Sequence, residues 1–303
     1  MKIRKLLYLV ILLALIFGGY KYISYKTSNQ YKLQEVGYSK EETNIIIDKL
    51  KEEPITFLLS QEYSEKVAPI IQEKYFVEGK LEAYLSYQNK KPEMSIKDVI
   101  SVVNAGADKE FYSDVKKVDT SKGNLMLVNK FNNLDEHFKF DDIVPISLQY
   151  AYNGHSIRKE VLEKFVDMWH AANKLDLTLI VNSSYRDHEF QTELYELYVS
   201  MDGVAEADLY SARPGYSEHQ TGLALDLSAY GSSIDDFGQT DEFVWMKENA
   251  HKYGFILRYP EGKEHITGYG YEPWHYRYVG KEVAEKIRNL NITFDEYYEL
   301  YLK

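Results

Sequence analysis

The stretch Ser217-Glu218-His219-Gln220-Thr221-Gly222-Leu223-Ala224-Leu225-Asp226 sets an imidazole and a carboxylate seven positions apart, with small residues between them. From Gly222 to Leu227 the residues alternate as a strand does. Gly222, Ala224 and Asp226 then share one face, and Leu223, Leu225 and Leu227 share the other. The leucine face reads as core. The opposite face presents a carboxylate that nothing crowds. A second fragment, Tyr271-Glu272-Pro273-Trp274-His275, brings another carboxylate and another imidazole. His219, Asp226 and His275 make a three-ligand set for a catalytic zinc, with the fourth position open to water. Glu272, close to a ligand and not needed as one, is the candidate general base. A structural zinc site is disfavoured, because such sites usually close with four protein ligands. Nitrogen and oxygen donors alone leave manganese and iron open.

This ligand set dictates a hydrolysis. Zinc lowers the pKa of a bound water towards ~7. Glu272 would take that proton and pass it to the departing amine. Pro273 limits how far the base can swing. Trp274 either dries and stiffens this corner or belongs to ordinary core packing. Arg186 follows a buried strand, where a guanidinium would stabilise a tetrahedral oxyanion or hold a peptide carboxylate. The plainer alternative for Arg186 is a surface salt bridge. His137, His155, His170, His188, His251 and His265 have no partner at ligand spacing and read as structural or surface residues.

The pattern Ser-x-His-x-x-Gly-x-Ala-x-Asp, followed about fifty residues later by Glu-x-x-His, resembles the VanY-type zinc D-alanyl-D-alanine carboxypeptidases. That group includes L,D-carboxypeptidases, VanX-like dipeptidases and the Hedgehog amino-terminal domain. The resemblance runs from about Leu125 to about Gly280. It implies an α+β, Hedgehog/DD-peptidase-like zinc domain with a mainly antiparallel sheet, and one zinc per chain. It also implies that Arg186, in a Ser-x-Tyr-Arg turn, lines the substrate site. By the same likeness Gln191 matches a glutamine near the substrate, and Ser217 matches a serine bonding the terminal carboxylate. Trp274 joins them as a substrate-side residue. Asp187 stands where relatives often carry serine. The expected activity is removal of the terminal D-alanine from peptidoglycan stem pentapeptides. Alternatives are L,D-carboxypeptidase action on tetrapeptides and a non-catalytic cell-wall binding module, for which Glu272 and the complete ligand set are the discriminating feature.

Elements elsewhere must position these groups. Lys2, Arg4 and Lys5 precede an apolar run from Leu6 to Tyr20. This predicts a signal anchor over residues 1–26, with a cleaved signal peptide as the alternative, and places the remainder outside the cytoplasm. Residues 27–36 read as a linker and 37–114 as a helical spacer, opened by the capping box Ser39-Lys40-Glu41-Glu42. The zinc domain is expected over 125–303. Arg158 to Lys174 has helical spacing, Leu177 to Val181 reads as a buried strand, and Met201 to Tyr216 reads as a loop. The chain of 303 residues has no cysteine, which excludes disulfides and thiolate zinc sites. Its net charge of -11 argues against nucleic acid as a partner.

Overall fold

A computed structural model describes residues 2–303; within the first helix it describes the side chains of Tyr8 and of Ile11 onward. The chain divides into two compact units, one ending at Asn104 and one starting at Ala105.

The first unit is helical. Helix α1 runs Lys2–Thr27 and α2 Asn29–Val36; then come α3 Lys40–Lys49, α4 Glu52–Leu59, α5 Val67–Gln72, α6 Leu81–Lys90 and α7 Ile96–Ala105. Among the described residues no helix is long and apolar enough to cross a membrane. The expected anchor, Leu6 to Tyr20, lies partly outside the described residues, and the described ones do not support a membrane helix. Residues 27–36, expected as a linker, are mostly helix. Ser28 caps α2, and Leu33 is fully buried, so this segment contributes to a core that polar composition concealed. Ile46, Leu58, Ile70, Tyr84 and Val99 complete that core. The Ser39–Glu42 capping box forms as the spacing requires, with bonds of 2.8 and 3.2 Å.

The second unit is α+β. Two short pairs come first: β1 Lys116–Lys117 with β2 Asn132–Asn133, and β3 Ile143–Pro145 with β4 Ser156–Arg158. Helix α8, Lys159–Asn173, buries Val161, Phe165, Met168, Trp169 and Ala172, one face of its 3.6-residue period. The main sheet contains β5 Leu179–Ser183, β6 Ala224–Ala229, β7 Phe255–Leu257 and β8 His275–Tyr278 in the order β5-β6-β8-β7. Every neighbouring pair in it is antiparallel. Leu223, Leu225 and Leu227 point into the core as their alternation predicted.

Helices α9, His188–Asp202, and α10, Val204–Tyr210, follow β5. The second falls where the sequence suggested a loop. Its core contribution is Ala207 alone, and the Tyr195–Asp208 hydrogen bond of 2.8 Å ties it to α9, so no apolar stripe announces it. Helix α11, Asp241–Asn249, is capped by Thr240. The short α12, Glu264–Thr267, and the closing helices α13, Lys281–Leu290, and α14, Phe294–Tyr301, complete the unit.

Candidate active site

The ligand-bearing strand starts from a short 3-10 helix, Glu218–Thr221. Gly222 ends that helix at φ 61°, a left-handed conformation suited to glycine. A Cβ there would meet Ile143 Cδ1 at 2.6 Å and Arg158 Cγ at 3.1 Å, so a larger residue would also require these side chains to shift. The chain then enters β6, where Asp226 lies directly across from His275 on β8. The 3-10 helix is stitched to the turn after β5. Arg186 N–H donates to the His219 carbonyl at 3.2 Å, and His219 Nδ1 meets the Ser184 carbonyl at 2.6 Å. Nδ1 therefore carries the proton, and the Nε2 lone pair is free for a metal.

Nε2 of His219 lies 3.2 Å from Asp226 Oδ2, and His275 Nδ1 lies 3.1 Å from Asp226 Oδ1. One ligand atom from each residue falls within a 4.8 Å set, the one such group of three among the described residues. Two zinc bonds of ~2.0–2.2 Å span about 4 Å at most, so the set closes slightly around an ion. Asp226 Oδ1 is buried and makes no hydrogen bond despite the nearby imidazole. That orphaned acceptor, with two converging nitrogens, fits a divalent cation and fits zinc by donor type.

The charges agree. Burial, with Arg186 adding to it, lowers His219 to about 4, so it is neutral at physiological pH. Against burial, the Asp226 and Glu218 carboxylates push His275 up to about 9. The pocket thus favours a positive charge beside Nδ1.

Glu272 reaches the site through a tight turn in which His275 N–H donates to the Glu272 carbonyl at 3.2 Å. Its Oε2 lies 3.5 Å from His275 Nδ1. Burial pushes the Glu272 carboxyl up to about 8, with His275 opposing and Asp226 adding to the rise. A cation between the ligands would lower it again and leave a base poised near neutrality. Arg186 Nη1 donates to Ser183 Oγ at 3.0 Å and lies 3.9 Å from Asp226 Oδ2; its buried Nε has no partner.

These groups line one cavity of about 430 Å³, together with Ser217, Trp274, Tyr259 and Tyr269. Ser217 Oγ also accepts from His219 N–H at 3.3 Å. Trp274 both lines the cavity and packs on the core, so its two sequence-level alternatives coexist. Gln191 is the exception. It is absent from the cavity lining, and its amide donates to the Ala212 carbonyl at 2.8 Å. Its place on α9 turns it toward the segment behind the wall, where it supports a residue that does line the cavity.

Sequence reasoning missed Glu218. Its Oε2 lies 3.4 Å from His275 Nε2, so it orients the His275 ring from behind. Its Oε1 accepts from Arg258 Nε at 2.7 Å and Arg277 Nη1 at 2.9 Å. Arg258 in turn reaches Asp295 on α14 at 2.6 Å. All four are buried. The available signal was a charged residue within or beside each apolar strand, since a buried charge demands a partner.

Residues 154–281 match the family described as VanY, D-alanyl-D-alanine carboxypeptidase. The chain is 38% identical over 205 residues to the putative carboxypeptidase YodJ of Bacillus subtilis, covering 63% of this chain and 75% of that protein. It is 39% identical to a D-alanyl-D-alanine carboxypeptidase of Enterococcus faecium, covering 60% of this chain and 59% of that one. Among solved structures, the LdcB LD-carboxypeptidase matches with TM-score 0.58 and 37% identity, over 63% of this chain and 92% of that one. The vancomycin resistance D,D-pentapeptidase VanY in complex with Zn(II) matches with TM-score 0.50 and 35% identity, over 57% of this chain and 98% of that one.

Replacing Glu218 tests its supporting role. Glu218→Gln should lower zinc affinity about 10- to 100-fold in a competition titration with a chromogenic chelator. It should also destabilise the protein by about 3 kcal/mol in urea unfolding, because Arg277 loses its anion and Arg258 keeps only Asp295. Wild-type zinc affinity in a folded variant would exclude the role.

Proposed function

The chain belongs to the VanY family of D-alanyl-D-alanine carboxypeptidases and is a peptide hydrolase, and from that premise we propose that it is a zinc D,D-carboxypeptidase removing the terminal D-alanine from peptidoglycan stem pentapeptides. The observation that carries this is the convergence of His219, Asp226 and His275 with Glu272 beside them in one cavity. The chemistry supplied by zinc there is that of a Lewis acid, which polarises a carbonyl and lowers the pKa of water to about 7.

The chain's own residues do the rest. Glu272 takes the proton of the attacking water and delivers it to the amine nitrogen as the peptide bond breaks. Arg186, with Nε unpaired, donates to the oxygen on which charge develops or to the terminal carboxylate. Ser217 lines the cavity and uses its hydroxyl oxygen as an acceptor from His219 N–H, which leaves its O–H to donate to a carboxylate. Trp274 keeps bulk water from the corner behind Glu272. L,D-carboxypeptidase action on stem tetrapeptides is the alternative, favoured by the TM-score of 0.58 to the LdcB enzyme. A non-catalytic wall-binding module is disfavoured, because base and ligands are all present.

Incubating the zinc-loaded full chain with penta- and tetrapeptide stems, with and without chelator, tests the proposal by mass spectrometry of the released amino acid. D-alanine should leave the pentapeptide, and chelator should stop it. Glu272→Gln should retain zinc and lose at least ~10²-fold in rate, the lower end of what a positioned acid–base group contributes. Release from the tetrapeptide alone would move the assignment to L,D-carboxypeptidase. Release from neither would overturn it.

The enzyme is further proposed to act outside the cytoplasm, held to the cell membrane by residues 1–26. The support is the cationic start followed by α1, whose Leu12, Leu13, Leu15, Ile16 and Phe17 side chains are exposed. Fractionation of cells making the full chain should leave it in salt-washed membranes, accessible to external protease. Recovery in the cytosolic fraction would contradict this.

A further inference from the structure

Lys130, just before β2, is a charged side chain almost closed off from solvent, at 2% exposure. Its Nζ donates to the Asp208 carbonyl and to the Gly268 carbonyl, each at 2.5 Å. Three aromatic rings close around it, with centroids at 4.3 Å for Tyr269, 5.0 Å for Phe111 and 5.5 Å for Tyr112. Burial pulls the ammonium down to about 8, with Asp208 opposing, so it stays charged at neutral pH. Burying a charge among carbonyls and rings is costly. Packing alone does not ask for it, since methionine would fill the same space without the charge.

The two carbonyls belong to separate segments of the catalytic cavity's wall. Asp208 lies two residues before Tyr210, which lines the cavity with Ser211 and Ala212. Gly268 precedes Tyr269, on the segment that carries Glu272, and both of those residues line the cavity. The last carbonyls of a helix have no partner within it. In α10 that of Asp208 is taken by Lys130, and that of Leu209 by Gly270 N–H at 3.0 Å. Gly268 has φ 76°, and a Cβ there would meet Phe111 Cζ at 2.7 Å and Lys130 Cδ at 3.0 Å, so the lysine stem packs directly on this turn. Tyr269 in turn packs against Tyr259, with centroids 4.7 Å apart, which passes the lysine's position to two rings of the lining. Arg213 holds the Asp208 carboxylate at 2.7 Å and lies 4.0 Å from the centre of the Tyr112 ring, so the cage is anchored from that side as well.

We propose that Lys130 is a positioning residue for the peptide substrate: by bridging the Asp208 and Gly268 carbonyls it fixes the separation of two wall segments, and that separation sets how tightly the peptide is held. This rests on the peptidase assignment above. Lys130 is not on the cavity lining and acts through Tyr269 and through residues 210–212. His219 and His275 have their own supports, the Ser184 carbonyl and Glu218, so zinc affinity does not depend on it.

Lys130→Met keeps the length of the side chain and removes the charge, and a thioether suits an aromatic cage, so the variant should fold. Release of D-alanine from the stem pentapeptide by the zinc-loaded full chain should show KM raised about tenfold and kcat within about twofold, the pattern of binding lost equally from ground and transition states. Zinc affinity should match the wild type. A purely structural role would lower the yield of active enzyme at unchanged KM, and that result would overturn the proposal. A rescue isolates the charge. The chain has no cysteine, so Lys130→Cys carries the sole thiol. Alkylating it in urea with 2-bromoethylamine and refolding with zinc rebuilds an ammonium at lysine's length, which should restore KM. Iodopropane gives a neutral chain of the same length, which should leave KM high. KM belongs to the folded molecules alone, so partial refolding does not blur the comparison. Equal KM for the two alkylated forms would also overturn the proposal. Calorimetry with the same pentapeptide on Glu272→Gln, with and without Lys130→Met, separates this idea from the peptidase reading. No release by the wild type, with peptide binding about tenfold weaker when Lys130 is replaced, would sink the peptidase reading and spare Lys130. Release by the wild type with equal binding in both would do the reverse, and neither release nor binding would sink both.

Discussion

Glu218 is fully withdrawn from solvent and remains ionised. Against the cost of burial, Arg258 and Arg277 hold its carboxyl well below the usual carboxylate range. The three charges come from the 3-10 helix, the residue just after β7, and β8, and Asp295 adds α14 to the same cluster through Arg258. Arg277 also donates to the carbonyls of Asn124 and Met126, at 3.0 and 2.9 Å, which draws in the segment that opens the domain. Removing any one charge leaves one net buried charge uncompensated, which typically costs about 3–5 kcal/mol. The elements that carry the site are thus locked together by one buried ionic cluster.

The consequence for chemistry is a fixed pair of imidazoles. His275 is held by Glu218 at one nitrogen and presents the other to Asp226. His219 is held by the Ser184 carbonyl and likewise presents its free nitrogen to Asp226. The rings meet edge to face, with centroids 5.0 Å apart. Neither ring can rotate without breaking a buried bond, so the ligand set is organised before an ion arrives. Glu272, by contrast, sits on a turn with its carboxylate unpaired by any arginine, which suits a group that must gain and lose a proton.

Much of this was legible from local pattern. The leucine alternation from Leu223 to Leu227 placed Asp226 on the open face, because a period of two leaves no other choice once one face is core. The cap at Thr240 and the box at Ser39 marked helix starts, since those bonds are made between near neighbours. What escaped depended on contacts between distant segments. Glu218 and Asp295 are 77 positions apart in the chain and meet only through Arg258. Helix α10 and the helical residues 29–36 were hidden because one buried side chain each, Ala207 and Leu33, is too little to set a period. Gln191 lies close to the site in sequence terms, yet its side chain turns to Ala212, and family likeness could not supply that orientation.

Three particular atoms, His219 Nε2, His275 Nδ1 and an Asp226 oxygen, would hold the metal. X-ray absorption at the zinc edge, combined with a zinc-loaded crystal structure, measures them directly. It should find His219 Nε2, His275 Nδ1 and an Asp226 oxygen each at ~2.0–2.2 Å, with no sulfur scatterer and Glu272 outside bonding distance. Zinc coordinated by Glu272, or settled on other histidines while His219 and His275 remain unligated, would contradict it.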